Sequence, residues 1–370
     1  MSPYGGWDQR SFNSLVLRNS GLSAAVFDKR HVGMGSTAAS TAFLQYEIDT
    51  PLTELCGYVG EQNAVECYRL CNDAIYDIEH ICKTLKPAFD FHLVPSLQYA
   101  SFNTHVRNLR EEYELRNKYG FKVDWLDSSE IKKKIGFDAP GAIFSGDGGE
   151  VDAYLLTHAL LADFKKKGHQ VYNNTSIKQI EHHKHNIKLH TQDGKVIRAK
   201  KLVIACGYES LQYVPKKIAE IQSTYAMVSE PLPGKFFWYK NSLVWETATP
   251  YMYFRVVSEN RVLIGGRDDP YHRPHIQPSV IKKKTVQLKN AFCKKMPHIP
   301  LKPDFSWAGA FAVTKDGLPY IGAIPERPDT YFALGFCGNG ITFSVIAAAI
   351  IRDMLLGKKN ENADLFQFNR

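Results

Sequence analysis

An acidic side chain at the end of a short strand is the first feature of this sequence that could do chemistry. Residues Ser23 to Phe27 read as a strand, and Asp28 and Lys29 follow it directly. In a Rossmann unit, an acid at this point accepts hydrogen bonds from a ribose, roughly 20 residues after a glycine-rich turn that holds the pyrophosphate. Gly5 and Gly6 precede Asp28 at a comparable spacing. This arrangement predicts a dinucleotide site near the N-terminus.

The glycine-rich turn itself is incomplete. The usual spacing from Gly5 requires glycine at positions 7 and 10, where the chain has Trp7 and Arg10. If the DNA for residues 5–14 is read one base later, the permitted codons include "GGGINGALIA", which is a regular phosphate-binding turn. Two interpretations therefore stay open. The chain is a working dinucleotide-binding protein, or it is the inactive or cofactor-deficient product of a frameshifted or truncated gene.

Four separated segments share one property, a strand that ends in glycine or other small residues. They are "VFDKRHVGMGSTAAST", "LVIACGYES", "TKDGLPYIG" and "FALGFCGNGITFS". Open α/β sheets bind extended ligands at such strand ends, because only there can the backbone approach the ligand closely. In the last segment, Asn339 lies between two glycines directly before an apolar helix, which suits a helix N-terminus that faces a polar oxygen.

Composition limits the class of protein. With 370 residues, 44% hydrophobic and 23% charged, the chain is expected to be soluble and to fold as two interleaved domains. The net charge of +8 comes from scattered lysines, so no nucleic-acid binding is expected, although an anionic cofactor or substrate would be attracted. Seven cysteines without a C-x-x-C pair favour a reducing, cytoplasmic location. The apolar run "ITFSVIAAAII" is too short to span a membrane.

The elements that must position these turns alternate in type along the chain. Apolar residues at three-and-four spacing predict helices after residue 50, at 105–118, 152–166 and 279–295, and in the tail up to about Leu356. A hairpin turn at Gln192-Asp193-Gly194 and alternating residues from Tyr225 to Gly266 predict antiparallel strands. "LVIACG" is typical of a buried parallel strand. "EHHKH" fits a polar hairpin end, so no metal site is predicted.

The segment from Gly21 to Gly357 resembles the FAD-dependent D-amino-acid oxidase family, which includes glycine oxidase and sarcosine oxidase. The resemblance implies an α/β fold with a Rossmann-like FAD-binding domain on a parallel sheet, formed by residues 1–50, 147–212 and 304–370. An α+β substrate domain with an antiparallel sheet and helices would comprise 51–146 and 213–303. The implied FAD-binding residues are Gly5, Gly6, Asp28, Lys29, Gly35, Ser36, Thr37, Ser40, Thr41, Ile177, Ala205, Gly207, Asp316, Gly317, Gly335, Gly338, Asn339, Gly340, Ile341 and Thr342.

Three positions depart from that family's pattern. The cysteine that binds flavin covalently in sarcosine-oxidase-type members corresponds to about Gly309, so a non-covalent flavin is expected. The arginine that binds the substrate carboxylate in glycine-oxidase-type members corresponds to Ala312. Thr342 follows Ile341 where sarcosine oxidases have a lysine. The resemblance therefore implies FAD chemistry, while a simple amino-acid substrate lacks its usual anchors.

Tyr251, Tyr253 and Arg255 are the candidate catalytic residues. Period-two alternation in "YMYFRVV" places them on one face of a strand, where they could line a substrate pocket above the flavin, with Arg255 as the anchor. The outer face of a sheet is the alternative, and Arg267 is a second candidate cation. The expected reaction is oxidation of an amine or amino acid by hydride transfer to flavin, which needs little acid–base machinery. Oxygen or a quinone would then accept the electrons.

Overall fold

The computed structural model describes residues 21–85, 91–234, 238–271 and 276–370. These residues form seven α-helices, which we number α1 to α7 in chain order: Leu52–Val59, Glu61–Leu85, Val106–Lys118, Ser128–Ile135, Ala153–Lys166, Pro278–Lys295 and Gly340–Leu355. All the predicted helical stretches are helical in the structure. Gly60 separates α1 from α2, where the sequence suggested one continuous helical region.

The same residues form strands β1 to β19. In chain order they are Ala25–Phe27, Phe43–Gln45, His92–Leu93, Ser96–Tyr99, Val123–Leu126, Ala142–Ser145, Gly148–Glu150, Gln170–Tyr172, Ile177–His183, Asn186–Thr191, Val196–Ala199, Leu202–Ile204, Ala219–Ser229, Leu243–Glu246, Met252–Val257, Arg261–Pro270, Pro303–Thr314, Tyr320–Ala323 and Thr330–Leu334. The predicted hairpin of β10 and β11 and the antiparallel pair of β15 and β16 are both present.

Parallel pairing connects distant parts of the chain in the cofactor half. Strand β1 pairs in parallel with β8, and β12 pairs in parallel with β19, so the run "LVIACG" begins with the expected parallel strand. Strand β18 adds to β19 in antiparallel orientation. The pairing of β12 with β19 brings the turns that follow these two strands to neighbouring positions, whereas β1 and β8 form a separate two-stranded sheet.

A mixed sheet of eight strands forms the second layer, in the order β17-β13-β16-β15-β14-β4-β6-β5. In the middle of this sheet β14 pairs in parallel with β4, which places Trp245 beside Gln98 and Glu246 beside Tyr99. Helix α6 covers this sheet, with Leu288 and Phe292 fully buried against Phe254 and Ile264.

Two details of the organisation differ from the sequence interpretation. The stretch 136–152, whose five glycines indicate a loop between domains, contains β6 and β7. Strand β6 lies inside the large sheet, where its apolar residues Ile143 and Phe144 are buried. Strand β17 pairs with β13 along nearly its whole length, so its residues belong to the large sheet and not to the cofactor half that was expected to begin at 304.

Helix α2 joins the two halves. Its buried residues repeat at helical spacing, as at Val65, Tyr68, Cys71 and Ile75, and they share a core with residues of α7 such as Phe343. Helix α2 therefore packs on the cofactor half, although residues 51–146 were expected to lie in the substrate domain. Within the described ranges, none of the helices is long and apolar enough to cross a bilayer.

Candidate functional site

A cavity of about 850 Å³ lies where β2, the start of α7 and the large sheet meet. The segment 41–54 forms one wall, and α3 with the strand β4 forms another. The connection 245–253, Asp268 and strand β17 complete the enclosure, together with Gly338, Asn339, Ile341 and Thr342 at the start of α7. The cavity therefore contains the last predicted cofactor motif and two of the three predicted catalytic residues.

The N-terminus of α7 opens into this cavity. Backbone N–H groups in the first turn of an α-helix have no acceptor within the helix, and they carry the positive end of its dipole. Asn339 is buried and donates from its side chain to the carbonyl oxygens of Gln45 (3.1 Å) and Glu47 (2.9 Å). The hydroxyl of Thr342 donates to the carbonyl of Asn339. Asn339 and Thr342 thus hold this turn against β2.

Asp49 is the acid nearest to this turn. Its Oδ2 accepts a hydrogen bond from the backbone N–H of Gly338 at 2.7 Å. The side chain is open to the cavity, but protein surrounds it closely, and this desolvation raises the pKa of its carboxyl. The sequence interpretation did not identify Asp49, because its partner Gly338 lies 289 residues away along the chain and no local pattern records the contact.

Asp28 is buried directly after β1, where the sequence predicts the ribose half of the cofactor site, and its contact with a ribose stays a prediction. The side chain is only 4% exposed, and its Oδ1 accepts the backbone N–H of Arg30 at 2.9 Å. Lys29 forms an ion pair with Glu209 at 2.7 Å, which fastens the turn after β1 to the turn after β12. The small residues Gly35, Ser36, Thr37 and Ser40 follow in a series of turns. Gly5 and Gly6 lie outside the described residues.

Other predicted cofactor residues occupy the neighbouring strand ends. Ile177 begins β9, Ala205 is buried directly after β12, and Gly207 begins a short 3₁₀ helix with a positive φ of 60°. None of these three lines the 850 Å³ cavity. Their assignment to FAD stays a prediction.

Asp316 has a structural partner that the sequence did not indicate. Its carboxylate binds the guanidinium of Arg370, with Nε to Oδ2 at 2.8 Å, and accepts the backbone N–H of Leu318. Burial alone would raise the pKa of Asp316, but the hydrogen bonds and charge of Arg370 lower it below its usual value. Gly317 and Gly335 take the positive φ angles that the turns on either side of β18 and β19 require. Among the described residues, this group fastens the C-terminus to the cofactor half.

Tyr251 and Tyr253 line the cavity, as the alternation predicted. Their rings stack at 5.9 Å, and the hydroxyl of Tyr253 donates to Oγ1 of Thr41 at 3.1 Å. Gly265 lies beneath Tyr253, and a Cβ there would be only 2.3 Å from the ring. Burial raises the pKa of both phenols, so both stay protonated and can donate hydrogen bonds.

Arg255 does not line the cavity. Its Nε donates to the carbonyl of Thr41 at 2.8 Å, and its Nη1 forms an ion pair with Oε2 of Glu150 at 2.7 Å. This pairing occupies the guanidinium and argues against Arg255 as a substrate anchor. The contacts instead make it a positioning residue for the segment that carries Thr41. Arg267, the second candidate, lies outside the cavity wall and donates to the carbonyl of Pro250.

The strand before the "DG" turn also differs from expectation. Side chains alternate along β17, so Phe311 and Val313 face the cavity while Ala312 does not. The cavity-facing residues next to the expected arginine position are therefore Phe311 and Val313. Both side chains are apolar, so the conclusion that this strand supplies no cation is unchanged.

A buried network holds the single guanidinium of the described cavity wall. Arg116 is 1% exposed and binds Glu112 at 2.7 Å, Glu47 at 3.4 Å and Oε1 of Gln98 at 3.2 Å. Glu112 also accepts the backbone N–H groups of Leu52 and Thr53 at the start of α1. Burial alone would raise the pKa of Glu112, but the charge of Arg116 and these N–H groups lower that pKa below its usual value. Arg116 is thereby neutralised inside the protein.

Acidic side chains dominate the cavity wall, although the whole chain is basic. Six carboxylates line the described part, against Arg116 and His105: Asp49, Glu54, Glu111, Glu112, Glu246 and Asp268. Burial raises the pKa of Asp268 to about 6, and repulsion from Asp49 adds to the effect. The attraction for anionic substrates expected from the net charge therefore does not extend to this cavity.

These features fit a flavin cofactor. A Cβ at position 338 would lie 2.5 Å from Asp49. Because Gly338 has no Cβ, the first turn of α7 stays open to the cavity. Asp28 supplies a buried carboxylate at the end of β1, and the cavity is large enough for an aromatic ring system together with a small substrate. Asp28, Thr41 and the turn 338–342 are the residues that would hold it.

Comparison with known proteins agrees with this geometry. Residues 14–354 match the family described as FAD dependent oxidoreductase. The chain is 24% identical over 374 residues to glycine oxidase from Geobacillus kaustophilus (strain HTA426), covering 93% of this chain and 89% of the relative. It is 22% identical over 365 residues to gamma-glutamylputrescine oxidoreductase from Escherichia coli (strain K12), covering 93% and 80%.

The fold is likewise similar to a crystal structure of glycine oxidase from Geobacillus kaustophilus. The TM-score is 0.81 at 22% identity, over 97% of this chain and 94% of that chain. The match to the family extends over most of the chain and includes both halves of the fold. The protein therefore belongs to the FAD dependent oxidoreductase family.

Proposed function

We propose that the protein oxidises an amine that carries no carboxylate beside the reacting carbon, with FAD bound non-covalently. The observation that carries this proposal is the charge of the cavity wall. Its one guanidinium in the described residues, on Arg116, is bound by Glu112 and Glu47, so no arginine or lysine there is available to a carboxylate. An unpaired carboxylate in such a cavity would be costly.

The bound flavin would accept a hydride from the carbon beside the amine. The residues of this chain orient that carbon and control the charge around it. The phenol of Tyr251 reaches Asp268, and the phenol of Tyr253 is fixed by Thr41. Phe311 and Val313 supply an apolar wall opposite these polar groups. The substrate nitrogen must be neutral when the hydride leaves, and a carboxylate such as Asp268 can accept its proton at Oδ1.

Anaerobic reduction of the flavin tests this proposal. The purified protein should be yellow, and an amine substrate should bleach the flavin absorbance in the absence of oxygen. Amines without a carboxylate should act faster than the corresponding α-amino acids. Readmission of oxygen, or addition of a quinone, then identifies the electron acceptor.

Three outcomes lead to different conclusions. A colourless protein that does not take up added FAD would favour the cofactor-deficient alternative. A yellow protein that no amine bleaches would exclude amine oxidation. A yellow protein bleached best by small amino acids would contradict the part of the proposal that concerns the carboxylate.

A further inference from the structure

We infer that the substrate is a diamine or polyamine, whose second ammonium group binds at Glu246. This inference rests on the proposed function, since it adds a second charge to the amine substrate. Glu246 is the last residue of β14, lines the cavity and is only 8% exposed. The next residue, Thr247, hydrogen-bonds to Nδ1 of His105 at 2.7 Å, so this end of β14 lies near the start of α3.

One oxygen of Glu246 has no hydrogen-bond donor. Oε2 accepts the hydroxyls of Tyr99 and Ser101, each at 3.1 Å. Oε1 is buried and has no partner among the described residues within hydrogen-bonding distance. Nη2 of Arg267 lies 3.7 Å from Oε1, which makes a long ion pair without a hydrogen bond, and Lys295 also interacts electrostatically with Glu246. Neither cation lines the cavity. A buried carboxylate oxygen in this state is costly, and a donor that enters through the cavity would satisfy it.

Asp268, which also lines the cavity, likewise has one carboxylate oxygen without a hydrogen-bond donor among the described residues. Its Oδ1 is buried without a hydrogen-bond partner in the described ranges, while the hydroxyls of Thr224 and Tyr251 interact with its carboxylate. Asp49 adds a second negative charge close enough to repel Asp268 electrostatically. An ammonium or amine nitrogen between Asp49 and Asp268 would relieve that repulsion.

The spacing of the two ends suits an extended chain with a nitrogen at each end. The pairing of β14 with β15 and of β15 with β16 sets Glu246 two strands away from Gly266, which is about 10 Å. Asp268 follows two residues further along β16. Trp245, Tyr251 and Tyr253 also line the cavity and offer aromatic faces to methylene and ammonium groups.

Matched pairs of ligands test the inference. An α,ω-diaminoalkane is compared with the amino alcohol of the same length, which has a hydroxyl in place of the second ammonium group. Binding is followed by the fluorescence of Trp245, with Trp245→Phe to assign the signal, and reduction by the flavin absorbance under anaerobic conditions. The diamine should bind at least about tenfold more tightly than the amino alcohol, as expected for a charge-assisted hydrogen bond.

Two variants identify the residue responsible. Glu246→Gln keeps the shape of the side chain and its contacts with Tyr99 and Ser101, and it should reduce the diamine preference to about threefold or less. Glu230→Gln removes an exposed acid that directly follows β13, outside the cavity, and should leave the preference unchanged.

Equal binding of the diamine and the amino alcohol to the unaltered protein would overturn the inference, as would a preference that survives in Glu246→Gln. Because fluorescence reports binding without turnover, failure of the proposed function is recognised separately. Diamine binding without flavin reduction would contradict amine oxidation, but it would support the binding site. Flavin reduction by monoamines without a preference for diamines would support amine oxidation and contradict the binding site at Glu246.

Discussion

The carboxylate of Asp49 accepts the backbone N–H of Gly338 across 289 residues of chain, at a distance of 2.7 Å. The contact joins the segment after β2 to the N-terminal turn of α7. A Cβ at Gly338 would lie 2.5 Å from Oδ1 and 3.2 Å from Cγ of the same side chain. The absence of a side chain at 338 is therefore what permits an acid to reach this turn.

Gly338→Ala should displace Asp49 and break this hydrogen bond. We expect a loss of about 1–3 kcal/mol in the free energy of unfolding and a lower FAD content after purification. Chemical denaturation and the flavin-to-protein absorbance ratio measure the two effects. Gly146→Ala is the matched control, since the nearest atom to its Cβ would be Cβ of Lys122 at 3.8 Å and the residue does not line the cavity. Equal behaviour of the two variants would contradict the role of Gly338.

Asp28→Ala should weaken FAD binding by about 1–3 kcal/mol, the range for hydrogen bonds to a charged group. The buried carboxylate would otherwise accept hydrogen bonds from the adenosine ribose. Titration of the apoprotein with FAD, followed by flavin fluorescence, gives the dissociation constant. Asp124→Ala, at an exposed position of β5, serves as the control. If Asp28→Ala binds FAD as tightly as the unaltered protein, Asp28 has no part in the site.

Glu150→Gln should destabilise the protein by about 3–5 kcal/mol, because it leaves the guanidinium of Arg255 buried without its counter-charge. The side chains of the pair are only 10% and 16% exposed. Arg255→Met in the Glu150→Gln background should recover a large part of the loss. Chemical denaturation of both single variants and the double variant gives the coupling energy. A coupling near zero would show that the ion pair is not the main contact of Arg255, and would restore it as a candidate substrate anchor.

Stability should fall as the pH rises through the range in which Glu47 titrates. Burial raises the pKa of Glu47 and the charge of Arg116 lowers it. Burial has the larger effect, so the pKa rises from 4.5 to about 7. The folded state then binds this proton more tightly than the unfolded state, so the contribution is present below pH 4.5 and is lost between 4.5 and about 7. The free energy of unfolding of the unaltered chain should therefore fall by about 2–3 kcal/mol between pH 5 and pH 8 through this group. Glu47→Gln should lack this fall, so its stability relative to the unaltered chain should rise by that amount over the same range.

The comparison variant for Glu47 is Glu112→Gln. Because the pKa of Glu112 is lowered in the folded state, its ionised form is stabilising above its usual pKa. Glu112→Gln should destabilise the protein at neutral pH, the opposite sign from Glu47→Gln. Denaturation curves at several pH values check both. Effects of the same sign would contradict the assignment of charge in the Arg116 network.

Binding of a cationic amine should weaken below about pH 6. The pKa of Asp268 is raised to about 6 by burial and by Asp49, while Thr224, Tyr251 and Lys284 act in the other direction. A proton on Asp268 competes with the ligand, so the apparent dissociation constant should rise up to about tenfold for each unit below that pKa. Asp268→Asn should bind more weakly at pH 8 and show a flatter pH dependence. An unchanged slope in this variant would assign the titration to another group.

Local sequence patterns were sufficient for the elements and for their cofactor-facing ends. Alternation in "YMYFRVV" correctly predicted that Tyr251 and Tyr253 share a face, and the helical spacing after residue 50 correctly predicted α1 and α2. The family resemblance placed residues from 304 onward in the cofactor half, whereas β17 pairs with β13 in the large sheet. An alternating strand has two faces, and sequence does not state which of them meets the cavity.

The sequence by itself determined where strands end, which residues can approach a cofactor, and that a helix begins after Gly338 and Asn339, since these depend on neighbouring residues only. The tertiary structure alone decided which charges are paired. Arg255 meets Glu150 across 105 residues, and Arg116 meets Glu47 across 69. Arg255 looked available in the sequence, whereas the sequence interpretation did not consider Arg116, and both are neutralised in the fold. Asp49, Glu246 and Asp268 become an acidic cavity only because β2, β14 and β16 are brought together by pairings between distant segments, which no local spacing records.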